Sequence, residues 1–274
     1  MVNMTKAGEV GGFLDSVLLQ VAENYESEVR LRGKVKAAMT YPVVVFILAI
    51  LMCIVMLIFI VPTFAGMFDG LGGTLPLPTQ ILMTMSQKSK IIIPLFIFIA
   101  IAGAITHKRL KKSSPDYRLR FDKLKLKIPI FGDLFQKIAL SRFTRTLALL
   151  LRAGVPVLQA LEIVGDTTGN EVLLRSATDV RDSVRKGESM ASPLERHGVF
   201  PPMVVQMIHV GEDTGALDEM LDKISDFYDQ EVESTTESLT SLIEPLMIAV
   251  LGGIVGAMVI ALYMPMFKIF DLIK

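Results

Sequence analysis

Five carboxylate side chains lie within eleven consecutive residues in the second half of the chain, and they form the densest group of potential ligands in the sequence. Carboxylate oxygens are the ligands that hard divalent cations prefer. Acids near the start of a helix also complement the helix dipole and accept hydrogen bonds from its first backbone N–H groups. We expect helix capping and solvation, with binding of a divalent metal as the alternative. The five residues are Glu212, Asp213, Asp218, Glu219 and Asp222.

No motif for phosphate binding, metalloprotease chemistry or a nucleophilic serine occurs in the sequence. The three histidines, His107, His197 and His209, are scattered along the chain rather than spaced as a ligand set. The long apolar stretches contain no ionisable residue except Cys53 and Tyr263, whereas ion pathways and intramembrane catalysis usually need charged groups there. We therefore expect no enzymatic activity, no cofactor and no metal.

The acidic cluster belongs to a stretch that occurs twice in the chain, 203 residues apart. From Met4 to Phe64 the two copies align without a gap, and 14 of 61 positions are identical, where average composition gives about four by chance. Similarity of this kind indicates a duplicated structural unit. The motif that both copies share consists of Gly8, Glu9, Gly12 and Asp15 in the first copy and Gly211, Glu212, Gly215 and Asp218 in the second.

We expect this repeated motif to be a structural joint. The sequence predicts that one helix ends at Gly211, that the glycines form a sharp turn, and that the next helix begins after Gly215. That helix carries an apolar face at helical spacing and runs towards an apolar stretch in both copies. Contact of the turn with a partner protein is the alternative.

Three apolar stretches predict membrane-spanning helices, because a span needs about 20 apolar residues. They are 43–67, 91–106 and 246–267, and they account for a hydrophobic content of 51% and a mean hydropathy of +0.52. The middle stretch is long enough if the lysines before it extend to the interface. Gly252 and Gly256 in the third stretch form a small-xxx-small pattern that favours close helix packing in lipid, with chance composition as the alternative.

Charge is segregated along the chain although the net charge is zero. Nine Lys or Arg and two acids lie in 108–127, whereas one Lys and eleven acids lie in 202–245. A basic run directly after a membrane helix indicates the cytoplasmic side, and it lacks the interleaved aromatic residues typical of nucleic-acid binding. We expect a cytoplasmic N-terminus, an extracytoplasmic C-terminus and no nucleic-acid partner.

The remainder of the sequence predicts an all-α membrane protein with an antiparallel six-helix bundle as its main cytoplasmic domain. Gly154 and Pro156 predict one helix stop and the next helix start, and Ser192 with Glu195 predicts a capping box. The expected segments are the end of a first cytoplasmic domain (1–42), the first span (43–67), an extracytoplasmic loop (68–90), the second span (91–106), a basic linker (107–128), the bundle (129–245), the third span (246–267) and an extracytoplasmic tail (268–274).

The repeat also predicts that the front of the first domain is missing. The second copy's domain begins at Pro129, and its equivalent in the first copy would lie about 74 positions before the start of the chain. We therefore expect roughly 75 residues of a first bundle to be absent.

The chain resembles the type II secretion system F family, the platform proteins of the GspF and PilC type found in secretion systems and type IV pili. The resemblance rests on Lys127-Ile128-Pro129-Ile130-Phe131-Gly132, Ser141-Arg142-Phe143, Leu150-Leu151-Arg152-Ala153-Gly154-Val155-Pro156, Val210-Gly211-Glu212 with Gly215 and Leu217, and Glu244-Pro245.

That resemblance implies two homologous cytoplasmic bundles, three spans and a place in the bacterial inner (plasma) membrane. It further implies a homo-oligomeric platform between a cytoplasmic assembly ATPase and the pilin or pseudopilin subunits, together with other inner-membrane assembly proteins. An accessory or permease-like subunit of a membrane transporter is the alternative, and a membrane enzyme ranks third.

Overall fold

The structure, a computed structural model, describes residues 14–69 and 76–272, and all regular structure in these residues is helical. Gly8, Glu9 and Gly12 lie outside the described residues. The helices are α1 (Leu14–Val55), a π-helical segment (Met56–Ile60), α2 (Val61–Asp69), α3 (Leu77–Ser113), α4 (Pro115–Lys127), α5 (Phe131–Arg152), α6 (Val157–Thr167), α7 (Glu171–Arg185), α8 (Ala191–Arg196), α9 (Pro202–Thr214) and α10 (Leu217–Leu272).

The prediction of an all-α protein with three membrane-length helices is confirmed. In the part of the chain that the structure describes, three helical ranges, Tyr25–Phe64, Ile91–Ser113 and Leu217–Met264, each contain an apolar stretch long enough to cross a membrane. The chain divides into two compact units, which we call the bundle unit (1–37 and 110–239) and the span unit (38–109 and 240–274).

The core of the bundle unit is built from apolar residues at helical spacing on α5, α6, α7, α9 and α10. On α5 the spacing of four and three residues places Phe143, Leu147 and Leu150 on one face, and all three are buried as the periodicity predicts. The ring of Phe143 meets Phe200 edge to face, with centroids 5.4 Å apart. Aromatic pairs prefer this offset geometry because of their quadrupoles.

One of the bundle's connections follows the predicted turn chemistry, and a second has a side-chain cap. Gly154 has φ 78° and Pro156 precedes α6, so one helix stops and the next begins at these residues. The Asn170 side chain accepts a hydrogen bond from Val172 N at 2.9 Å and caps α7. The expected capping box at Ser192 is different in the structure, because α8 begins at Ala191 and Ser192 lies inside it.

Most of the segment expected to be a basic linker (107–128) is helical, and its residues from Leu110 onward belong to the bundle unit. The Ser114 side chain accepts from Tyr117 N at the start of α4, and Pro115 occupies the first helical position. The buried carboxylate of Asp122 accepts a hydrogen bond from Glu171 N at 2.9 Å, which ties α4 to the first turn of α7.

A tight γ-turn joins α4 to α5. Phe131 N donates to Pro129 O at 2.9 Å, and Ile130 between them has φ 73° and ψ −55°, a strained geometry for a non-glycine residue. Directly after Phe131, a Cβ on Gly132 would collide with the carbonyl oxygen of Leu126, so only glycine fits there. The glycine at position 132 is thus explained by the close approach of the backbone at the end of α4.

The span unit departs from the expected extracytoplasmic loop at 68–90. Helix α2 continues to Asp69 and α3 already begins at Leu77, so most of this segment is helical. Pro78 does not prevent the helix, because the first turn needs no N–H from its residues. No glycine occurs between Leu77 and Lys90 to weaken the helix after that point.

Candidate functional site

The repeated motif of the second copy joins α9 to α10, and its two glycines have different tasks. Helix α9 does not end at Gly211, as expected, but continues to Thr214. The left-handed turn belongs to Gly215 alone, with φ 71° and ψ 12°. Helix termini favour glycine at such a position because it has no Cβ.

Gly211 instead allows a close approach between the two helices. A Cβ at this position would lie 2.9 Å from Leu217 Cα and 3.0 Å from Met220 Cγ. The first of these contacts is to backbone, so a larger residue would have to push the start of α10 away. Gly211 is buried, in agreement with this packing role.

Glu212 is a cap, but for a helix far away in the sequence. Its carboxylate accepts a hydrogen bond from Ser189 Oγ at 2.5 Å and from Met190 N at 2.9 and 3.1 Å. Ser189 Oγ in turn accepts from Ala191 N at 3.1 Å. The carboxylate and the serine together satisfy backbone donors at the start of α8.

Two other acids of the cluster pair with separate partners. Asp222 forms an ion pair with Arg152, and Asp213 lies 3.6 Å from His209 Nδ1. Asp218 occupies the first turn of α10, as Asp15 occupies the first turn of α1. Both aspartates therefore sit where an acid complements the helix dipole.

The metal-site alternative gains no support from the geometry. Within residues 14–69 and 76–272, no three His, Cys, Asp or Glu side chains come together as a possible metal site. The motif is held by hydrogen bonds and packing within the bundle unit instead.

The first copy of the repeated helix lies against the bundle through charged contacts. Glu28 pairs with Arg142 at 3.2 Å, and Lys34 Nζ lies 2.5 Å from a carboxylate oxygen of Glu233. Between these positions, Leu31 packs against a small apolar cluster. Spacing of three residues places Glu28, Leu31 and Lys34 on one face of α1.

A polar cavity of about 510 Å³ lies along this contact. Its wall includes Arg30 of α1, Arg145 and Arg152 of α5 and Asp226 of α10. Arg145 is neutralised by Asp226 and Asp229, each at 2.8 Å. Arg152 pairs with Asp222, so two of the three arginines in the cavity wall are paired with carboxylates.

A second charged group lies at the other side of α10. Lys137 Nζ contacts Asp133 and Glu231, both at 2.9 Å, and donates to Thr235 Oγ1 at 2.8 Å. Burial acts to lower the pKa of Lys137, but its hydrogen bonds to the two carboxylates and their charges outweigh burial and raise that pKa above its usual range. Burial also raises the pKa of the nearby Tyr228 phenol, and the Glu231 charge raises it further.

The proposed membrane packing glycines meet no neighbour in the structure. A Cβ on Gly252 or Gly256 would find nothing within 4 Å outside its own helix backbone and chain neighbours in the described part of the chain. Their role in helix packing stays a prediction.

The sequence pattern located the joint but not the details of its contacts. It identified Gly215, Asp218 and the turn between two helices. It missed the close approach at Gly211 and the link from Glu212 to Ser189, because neither has a local signal. The two ends of that link are 23 residues apart.

Fold and site together define a helical protein with a charged bundle unit, membrane-length helices and an internal sequence repeat. Comparison with known proteins makes this assignment specific. The family model described as "Type II secretion system (T2SS), protein F" matches residues 1–62 and 143–265. The two stretches end 203 residues apart, the same spacing as the internal repeat, and the chain belongs to this family.

Relatives with assigned roles extend over nearly the whole chain. It is 41% identical over 272 residues to the type IV pilus assembly protein PilC of Myxococcus xanthus and 43% identical over 269 residues to that of Thermus thermophilus, covering 98% of this chain in both cases. The type II secretion system protein F of Vibrio cholerae is 32% identical over 238 residues, covering 85% of this chain and 57% of the relative. The chain spans 64% and 66% of the length of the first two relatives.

Proposed function

We propose that this protein is a non-enzymatic platform in the inner membrane for type IV pilus or type II secretion assembly. The observation that carries the proposal is the similarity over 98% of the chain to two proteins named for type IV pilus assembly. The motif-level resemblance in both copies of the repeat points the same way. No catalytic step is assigned to this chain.

In this function the bundle unit faces the cytoplasm and contacts an assembly ATPase. The support is the basic segment 108–127, which follows a membrane-length helix and indicates the cytoplasmic side. The N-terminus is then cytoplasmic and the C-terminus extracytoplasmic. The spans contact the transmembrane helices of pilin or pseudopilin subunits and other inner-membrane assembly proteins, and the platform acts as a homo-oligomer.

Continuous helices give this platform a way to transmit movement. Helix α1 leads from the bundle unit into the first span, and α10 leads from the joint into the third. We propose that Gly211, Glu212, Gly215 and Asp218 fix the start of α10, so that movement of the bundle reaches the span. From the repeat, we propose the same function for Gly8, Glu9, Gly12 and Asp15 in the first copy.

Co-purification tests the platform function directly. The tagged chain, extracted from its native host in mild detergent, is expected to retain the assembly ATPase, and deletion of its gene is expected to abolish pili or secretion. The variant Leu221→Asp is the control, because a charge at this fully buried position unfolds the bundle unit and should release the ATPase. Normal pili and secretion after deletion, with no ATPase retained by the intact chain, would contradict the proposal.

In the transporter alternative, the spans would form a pathway for a solute. A permease-like subunit would move a solute across vesicles that contain the purified chain. The apolar stretches offer only Cys53 and Tyr263 as ionisable groups, which does not favour an ion or proton pathway. Solute flux above that of empty vesicles would favour the transporter over the platform.

A further inference from the structure

Each of the two repeat-related spans contains a proline at the same position of the repeat. Pro62 in the first span corresponds to Pro265 in the third, 203 residues later. A proline has no N–H, so inside a helix it leaves one backbone carbonyl of the preceding turn without its usual donor. Where that carbonyl is buried, it has no water to bind and needs another partner.

In the third span the partner comes from the start of α3. The carbonyl of Ala261, four residues before Pro265, is the one that an α-helix leaves without a donor there. Thr79 Oγ1 donates to Ala261 O at 2.5 Å, and both residues are buried. The threonine hydroxyl therefore replaces the hydrogen bond that the proline removes.

In the first span the same helix provides a second hydroxyl. Residues Met56–Ile60 are π-helical, and Val61 N donates to Met56 O, five residues earlier. In this register the carbonyl that Pro62 leaves without a donor is that of Leu57. Ser86 Oγ donates to Leu57 O at 2.5 Å, and Ser86 is buried.

The two copies therefore hold the same proline in two helical registers. The residue of the first span that corresponds to Ala261 is Ile58, one position after Leu57. Residues 259–263 of the third span are α-helical, whereas their equivalents in the first span are π-helical. The acceptor carbonyl has moved by one residue between the copies.

We propose that α3 acts as a hydroxyl clamp, in which Thr79 and Ser86 each donate to the carbonyl that a proline leaves without a donor. The π segment then lets the first span change its helical register by one residue, and Ser86 donates to the free carbonyl in both registers. In the α register the free carbonyl would be that of Ile58, and the Ser86 hydroxyl would donate to it instead of to Leu57. Neither register leaves an unpaired carbonyl in the apolar environment. The change corresponds to about 1.5 Å of rise and 100° of rotation between the two sides of the segment.

Paired substitutions test the clamp. In the purified full chain, Ser86→Ala is expected to lower the unfolding temperature by roughly 2–4 °C, the shift expected from the loss of one hydrogen bond in a chain of this size. Combined with Pro62→Ala, it should have no effect, because the new N–H at position 62 supplies the donor. Thr79→Val with Pro265→Ala is the matched pair for the third span. An equal effect of Ser86→Ala in both backgrounds would overturn the clamp.

Single-residue deletions test the register change, because a π segment is an α-helix with one additional residue. Deletion of Ile58 should convert 56–60 to the α register and leave the folded yield and unfolding temperature close to those of the parent. Deletion of Ala261 should lose most of the folded protein, since no additional residue is present there. Equal damage from both deletions, or tolerance of the Ala261 deletion alone, would refute the register change.

Both measurements report on the fold of the purified chain. A failure of the platform function would leave their outcome unchanged, so the two proposals can be separated.

Discussion

The two copies of the repeated helix bury different amounts of the same apolar face. In the second copy this face is inside the bundle core, whereas in the first copy its described members are exposed in the structure. The contrast is largest for the pairs Leu221 (0% exposed) and Leu18 (48%), Tyr228 (4%) and Tyr25 (54%), and Val232 (0%) and Val29 (52%).

The comparison teaches that the repeat determines where apolar residues occur, while the surrounding helices determine whether they are buried. Helix α10 lies among α5 to α9, which cover its face. Helix α1 contacts the bundle through another face, that of Glu28, Leu31 and Lys34. Identical residues therefore contribute differently to the free energy of unfolding in the two copies.

The largest expected effect comes from the paired leucines. Leu221→Ala removes a fully buried side chain and should lower the free energy of unfolding of the bundle unit by about 2–5 kcal/mol. Leu18→Ala, at the equivalent exposed position, should change it by about 0.5 kcal/mol or less. Denaturant titration of the purified chain, followed by helical circular dichroism, measures both. Similar losses for the two variants would mean that the face of α1 is covered in solution.

The next effect separates the two glycines of the joint. Gly211→Ala places a Cβ against the backbone of Leu217 and should cost about 1–3 kcal/mol through overpacking. Gly215→Ala meets no neighbouring atom but requires an alanine at φ 71°, which should cost about 1–2 kcal/mol. Thermal unfolding compares the variants under the same conditions. A cost for Gly211→Ala well below about 1 kcal/mol would contradict the close approach of α9 and α10.

The smallest expected effect is a loss of stability in alkali. The pKa values of Lys137 and Tyr228 are both raised in the folded chain, so each group binds its proton more tightly when folded. Their contribution is complete below the unfolded pKa values of about 10 and is lost as the pH rises through the higher folded values. Unfolding temperature should therefore fall above about pH 10.

Tyr228→Phe isolates the tyrosine part of that alkaline loss, and Tyr25→Phe is its control in the exposed copy. The fall in unfolding temperature above about pH 10 should be smaller in Tyr228→Phe than in the parent. Tyr25→Phe should follow the parent curve. Coincident curves for all three proteins would remove Tyr228 from the explanation.

Periodicity and turn chemistry were sufficient to predict the class of fold. The spacing of Phe143, Leu147 and Leu150, the stop at Gly154 and the apolar stretches are local signals, and the structure follows them. Local signals failed where a helix persists through an unfavourable composition. The early start of α3 at Leu77, in a segment expected to be a loop, is the main example.

Contacts between residues that are distant in sequence could not be predicted. Ser192 and Glu195 have the spacing of a capping box, but the start of α8 is capped by Glu212 from another helix. Likewise, no periodic pattern in the sequence predicts the π segment or its hydrogen bond from Ser86. These long-range hydrogen bonds depend on which helices pack together, and the repeat alone does not specify that packing.

The cap on α8 has a consequence for the order of events during synthesis. A helix of six residues is too short to be stable alone, and its carboxylate partner is translated 23 residues after Ser189. Glu212 in turn precedes the last apolar stretch, 246–267, by 34 positions. At 5–20 residues per second, roughly 2–7 s separate the two. The ribosome therefore synthesises Glu212, which caps α8, before it synthesises the final segment for insertion into lipid.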